Sequence, residues 1–217
     1  DMIGDVDGEE KTKKRVEGEA RILRSFYYFN LVNIYAYPYN APEGKSAGVP
    51  LKLNSTIDQT SIPRSTVAEV YNTIISDVEK GINLLTEVNA TGSKFRIGIS
   101  TAHLLASRYY LFMENWEKVV EHATAVFSAP GNSHSLFDMT NVNYPNAINT
   151  GGFPHPFTLN NPEILFFYAS EEEHEVVTSD YYAKCFMASD QLRNCYSNED
   201  QRWNGYLCPY GEAGDEK

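Results

Sequence analysis

The sequence predicts a mainly α chain: antiparallel helix pairs in its first part and a loop-rich second half containing a short strand or hairpin. Three observations predict it. Long stretches of the first 129 residues repeat their apolar residues at steps of three and four. A capping-box spacing opens one of those stretches. The character then changes after Ala129, where Pro, Gly and Asn crowd together and periodicity is lost.

The first element is a helix over residues 16–35. Val16, Ala20, Leu23, Tyr27 and Leu31 form one apolar stripe, and Ile22, Phe26, Phe29 and Val32 cover much of the neighbouring face. Two apolar faces predict a helix sandwiched between partners. Residues 1–15 read as a frayed or linking start, with the KTKKR run at Lys11–Arg15 as a solvated basic cluster.

The second helix is expected over residues 67–86. Thr66 and Glu69 have the spacing at which a hydroxyl accepts an orphan backbone N–H while the carboxylate reaches back to the cap. Val67, Val70, Tyr71, Ile74, Ile75, Val78, Ile82 and Leu85 share one face. A third signal starts near Ser100, read as an N-cap, and runs through Ala102–Met113. Glu114 and Asn115 then supply a tight turn with Asn115 in the left-handed region. Trp116, Val119, Val120, Ala123, Val126 and Phe127 resume the helical period, which makes a helical hairpin.

Small residues where the helices approach (Ala102, Ala106, Ala123) and a bulky aromatic at the turn, Trp116, make this hairpin look like a tetratricopeptide unit, with Trp116 in a structural role. One such unit cannot bury its own face. The two earlier helices are its natural packing partners, so residues 16–129 read as one tetratricopeptide-like scaffold and 130–217 as a loop-rich aromatic and acidic region packed on it.

Within 130–217, Ile164–Ala169 reads as a buried strand and Ser189–Tyr196 as a two-turn helix capped by Ser189. This part holds 14 of the 28 aromatic residues. Flat rings beside amide, carboxylate and guanidinium groups are what a sugar needs, because sugars present C–H faces ringed by hydroxyls. Tyr181, Tyr182, Phe186, Trp203 and Tyr206 are the candidate ligand-binding residues. Phe166, Phe167, Tyr168 and Tyr196 read instead as core.

Charge narrows the partners. Net charge is −11, and residues 101–217 carry 6 Lys and Arg against 16 Asp and Glu. Without a basic stripe, nucleic acid is excluded as a ligand class and anionic glycans are disfavoured. No apolar run approaches membrane-span or signal-peptide length, so these residues are not expected to insert into a bilayer.

Catalytic and metal signatures are not found. Glu171, Glu172, Glu173 and Glu175 read as a solvated charge run, since calcium needs ligands spread around a turn and a glycosidase needs two acids spaced across a cleft. His103 and His122 lie nineteen residues apart on the hairpin, and His134, His155 and His174 lie in loops, without zinc-type spacing. Cys185, Cys195 and Cys208 permit one disulfide but no disulfide scaffold. No cofactor, metal or catalytic residue is expected, and the chain is read as a non-enzyme.

GEARILRSFYYFNLV, the GVPL at Gly48–Leu51, RSTVAEVYNTIISDVEKGINLL and MENWEKVVEHA, in this order, resemble the SusD/RagB family of outer-membrane glycan-binding lipoproteins. NNPEILFFY and ASDQLRNCYSNEDQR are similar to that family's later landmarks, so the resemblance spans roughly residues 16–203. It implies a SusD-like helical scaffold at the surface of a Bacteroidetes-type bacterium. Its implied role is capture of a neutral oligosaccharide or polysaccharide for a SusC-like, TonB-dependent transporter. It also implies a lipid anchor upstream, and against family lengths the chain reads as a fragment lacking N- and C-terminal parts. A tetratricopeptide-type protein-interaction module and a glycoside hydrolase are the alternatives.

Overall fold

The computed structural model of the chain describes residues 3–42, 46–57, 61–130, 135–136, 162–167, 189–197 and 200. Two compact units divide it, Asp1–His134 and Ser135–Lys217. In the first, a short 3-10 turn, Ile3–Asp5, precedes helix α1 (Glu10–Tyr35), strands β1 (Ala47–Pro50) and β2 (Arg64–Thr66), and helices α2 (Val67–Glu87), α3 (Ile99–Phe112) and α4 (Trp116–Ser128). The mainly helical expectation holds, with one small antiparallel ribbon added.

Helix α1 starts at Glu10, so the basic run is already helical, and its Lys14 and Arg15 side chains are occupied. Lys14 meets Glu87 at 2.7 Å and Arg15 meets Glu19 at 3.0 Å. Of the two apolar faces, the one with Ile22, Phe29 and Val32 is buried, joined there by Ser25. The other is open: Val16, Tyr27 and Leu31 are exposed, Tyr27 by 55% and Leu31 by 41%. The expected sandwich is therefore one-sided. The helices of this unit supply α1 with partners on one face alone.

Those partners begin with α2, which runs antiparallel to α1. The pairs Lys14–Glu87, Arg21–Asp77, Arg24–Asp77 and Asn33–Tyr71 show the opposed directions. The helices approach closely where Gly18 faces Gly81. A Cβ on Gly81 would lie 2.6 Å from Cδ1 of Ile22 and 3.1 Å from the Gly18 carbonyl oxygen, so the spacing depends on a missing side chain. Asp77 is buried at this seam and takes three hydrogen bonds, from Arg24 Nε and Nη2 (both 2.7 Å) and Arg21 Nη1 (3.1 Å). Such a carboxylate is tolerated inside because its acceptor sites are filled by cations.

The capping box forms as the spacing predicts. Thr66 Oγ1 accepts the Glu69 N–H at 3.2 Å, and the Glu69 carboxylate accepts the Thr66 N–H at 2.7 Å, which holds Glu69 below the usual carboxylate range. Thr66 also ends β2, whose register with β1 pairs Ala47 with Thr66 and Pro50 with Arg64. The GVPL segment is thus largely strand. Arg64 fixes the ribbon to the end of α1 by donating to the carbonyls of Gly48 (2.6 Å) and Tyr35 (2.9 Å).

Helix α3 begins at Ile99 after an N-cap at Gly98, so Ser100 lies inside the helix and does not cap it. The backbone sets this start. Gly98 packs on Gly92 so tightly that a Cβ would sit 2.1 Å from the Gly92 nitrogen, and the Ile99 N–H donates to the Ala90 carbonyl at 3.2 Å. At the hairpin turn Glu114 takes the left-handed conformation, with φ 58°, and Asn115 does not. Asn115 is more useful as the N-cap of α4, where its Oδ1 accepts the Lys118 N–H at 3.2 Å.

The core lies between α1, α2 and α3. Phe29 meets Tyr71, Tyr109 and Phe112 with ring centroids 6.3, 4.7 and 4.9 Å apart, and Ser25 Oγ lies 3.3 Å from the Tyr109 hydroxyl. Ala102 and Ala106 are fully buried, as expected where helices approach, while Ala123 is half-buried. Trp116 is 61% exposed and so is not the packing residue that its place at the turn suggested.

In the second unit, helix α5 spans Asp190–Arg193. Ser189 Oγ accepts the Leu192 N–H at 3.3 Å, so the cap forms while the helix is shorter than two turns. Ile164–Phe167 make no ladder; their apolar character is met by burying Leu165, with Phe166 and Phe167 half-buried. Tyr168 and Ala169 lie outside the described residues.

Candidate functional site

The residues chosen for sugar stacking, Tyr181, Tyr182, Phe186, Trp203 and Tyr206, all lie outside the described residues. So do Glu171–Glu175, His134, His155, His174, Cys185 and Cys208. Cys195 is described and carries a free, exposed thiol.

What the described residues bring together is a groove along the open face of α1. Ala20, Leu23, Arg24, Tyr27, Tyr28, Leu31 and Pro50 line a cavity of about 470 Å³. A smaller hollow of about 190 Å³ continues it past Val16 and Glu17 to Ile3. The helical period puts positions 16, 20, 23, 27 and 31 in a row, and β1 supplies Pro50 as the far wall.

Two of the lining residues are fixed by their neighbours. The Tyr28 hydroxyl donates to the Lys52 carbonyl at 3.0 Å and accepts the Lys52 N–H at 2.8 Å, using both its donor and an acceptor site. Arg24 is locked on Asp77, a pairing whose hydrogen bond raises its pKa further above its ordinary value. The groove is therefore a preformed apolar floor with tyrosine rings and a spoken-for guanidinium at its edge. Its stripe was visible in the sequence but read as buried, because periodicity identifies an apolar face without saying what covers it.

A second polar grouping sits inside the helical unit, where α3 and α4 place His103 and His122 against each other. Their Nδ1 atoms are 3.0 Å apart, and Glu79 of α2 lies beyond them. The sequence reading gave these histidines no role. Antiparallel pairing about the Glu114 turn was the available signal that they face one another. Among the described residues no group of three or more His, Cys, Asp or Glu side chains is placed to hold a metal ion. Among the same residues no helix is long and apolar enough to cross a membrane.

Comparisons with known proteins supply the rest. Residues 1–111 match the SusD-like family model described as starch-binding associating with outer membrane. A SusD superfamily protein from Bacteroides thetaiotaomicron is 32% identical, with a TM-score of 0.57 over 66% of this chain and 30% of its own. A SusD-like carbohydrate binding protein from Bacteroides vulgatus is 25% identical, with a TM-score of 0.54 over 62% and 28%. A SusD superfamily protein from the same organism is 26% identical, with a TM-score of 0.56 over 64% and 32%. The matched part spans just under a third of the length of each of these relatives. No curated protein matches the chain.

Proposed function

The chain belongs to the SusD-like family, and from that premise we propose that it is a cell-surface glycan-capture component of a nutrient-uptake system. It holds a neutral oligosaccharide or polysaccharide by ring stacking and hydroxyl hydrogen bonds and presents it to a SusC-like, TonB-dependent transporter. The observation that carries this reading is the family match over residues 1–111, supported by the solved Bacteroides vulgatus relative described as carbohydrate binding. We place the protein at the outer membrane, held by a lipid anchor outside these residues, and assign it no bond chemistry.

Charge supports a neutral ligand, since a net of −11 repels anionic chains. The contacts belong to Tyr181, Tyr182, Phe186, Trp203 and Tyr206 in this proposal. Native gel electrophoresis through a gel containing a neutral glucan tests it. Retardation of the full chain that disappears in a Trp203→Ala/Tyr181→Ala double variant is the expected result; equal mobility of both with and without glucan rejects it. Incubation with labelled polysaccharide is expected to release no product, and release would move the protein to the glycoside hydrolases.

The open stripe on α1 favours a second reading, in which the tetratricopeptide-like scaffold carries a protein contact on that face. The two roles are compatible. A Leu23→Ser/Leu31→Ser variant that keeps glucan retardation but loses association with the transporter would assign this face to the protein contact.

A further inference from the structure

His103 on α3 and His122 on α4 meet with Nδ1 atoms 3.0 Å apart and ring centroids 5.2 Å apart. His122 is 3% exposed, and its ring stacks on Tyr110 at 5.4 Å with a 17° tilt. On the other side of that ring, Nε2 lies 3.3 Å from Glu79 Oε1, the same oxygen that accepts the Tyr110 hydroxyl at 2.9 Å. The Nε2 contact is close enough for an ion pair but falls short of hydrogen-bond geometry, so this nitrogen is buried without an aligned acceptor.

Counting protons fixes the tautomers. A neutral imidazole has one N–H and one lone pair, and two ring nitrogens at 3.0 Å attract when one donates and the other accepts. Were neutral His122 the donor, its Nε2 lone pair would face the Glu79 carboxylate, acceptor against acceptor in a buried place. The neutral pair therefore has the His103 Nδ1–H donating to His122 Nδ1, with the proton of His122 on Nε2, beside the Glu79 carboxylate.

One added proton is tolerated, because on His103 Nε2 it leaves both contacts intact. A second must go to His122 Nδ1, and it sets N–H against N–H at 3.0 Å. Three ionisable groups act on the pair, Glu79 from α2, Tyr110 from α3 and Glu121 from α4, and Lys118 of α4 is itself paired with Glu121. Burial first, and the neighbouring His122 second, hold the His103 imidazole below its ordinary value; Glu79 and Glu121 work the other way.

We propose that His103, His122, Glu79 and Tyr110 form a proton-operated latch that fastens α4 to α2 and α3, closed while the histidine pair carries at most one added proton and opened by the second.

Two measurements on the full chain test this. Imidazole nitrogen NMR at neutral pH is expected to show His103 protonated on Nδ1 and His122 on Nε2. Hydrogen-exchange protection of the α4 amides is expected to fall about tenfold per pH unit across the second protonation, with α2 unchanged. His103→Asn keeps a side-chain N–H near the Nδ1 position and takes no charge, so its α4 protection should stay flat over the same range. Both rings protonated on Nε2, or α4 protection that follows pH identically in the wild type and in His103→Asn, would overturn the latch. If that variant does not fold, the wild-type tautomers and α4 protection decide alone.

Discussion

Two helix seams of the first unit are fastened by different chemistry. Between α1 and α2, Gly18 and Gly81 let the backbones close, and Arg21 and Arg24 clamp the buried Asp77. Between α3 and α4, the polar link is an imidazole pair backed by Glu79. Guanidinium groups stay charged at every pH a protein meets, whereas imidazoles change charge between about pH 5 and 8. A helical scaffold can thus be permanent at one seam and conditional at the next without any change of fold.

The sharpest way to break the first seam is Asp77→Ala, which leaves Arg21 and Arg24 facing each other over a vacated acceptor. It should cost about 3 kcal/mol by urea unfolding, in the range for removing one partner of a buried ion cluster. A cost under about 1 kcal/mol, the level of a surface pair, would show that the clamp contributes little.

Gly81→Ala separates close packing from helix propensity. Alanine alone would favour the helix by about 1 kcal/mol, but a Cβ 2.6 Å from Ile22 should outweigh that gain and give a net loss of about 1 kcal/mol in thermal unfolding.

Acid should distinguish the seams. Folding holds His103 below its ordinary value, so the folded state binds fewer protons than the unfolded one across that range. The stability it contributes is full above the ordinary histidine range and is lost as pH falls through that range towards the lowered value. Glu79 has the same sign at lower pH: contact with His122, and then with Tyr110, holds its carboxyl below the usual range against the opposing effect of burial. The melting temperature should therefore drop between pH 7.5 and 5.5 in the wild type and drop less in His103→Asn.

The smallest expected effect is on the open face of α1. Leu31→Ser removes an exposed side chain and should change stability by no more than about 0.5 kcal/mol. A large loss would mean that this face is packed in solution.

The same contrast explains what was legible in the sequence. Helix α2 could be read almost completely, because its cap, its apolar face and its start are all local, and Val70, Tyr71, Ile74 and Val78 are buried as the period requires. The start of α3 could not, because it is set by Gly98 meeting Gly92 and by a hydrogen bond to Ala90, contacts between chain segments. The turn residues were found, but with their roles exchanged. Asn115 caps α4 and leaves the left-handed position to Glu114, a choice that depends on which residue's side chain reaches the Lys118 amide. Burial was harder still. Tyr27, Leu31 and Trp116 have the spacing or size of core residues, yet they are exposed because no described element of the first unit covers them. The histidine pair needed the hairpin register, which a spacing of nineteen hints at without establishing. The five aromatic residues chosen for glycan contact rest on composition and chemical type alone, since none lies within the described residues.

Calorimetric titration of the unmodified chain with a neutral glucan oligosaccharide, alongside an anionic polysaccharide of similar length, tests glycan capture most directly. Binding of the neutral chain with a Kd between about 1 μM and 1 mM, and none of the anionic one, is the expected result. A folded protein that binds no neutral glycan, or that prefers the anionic chain, would contradict it.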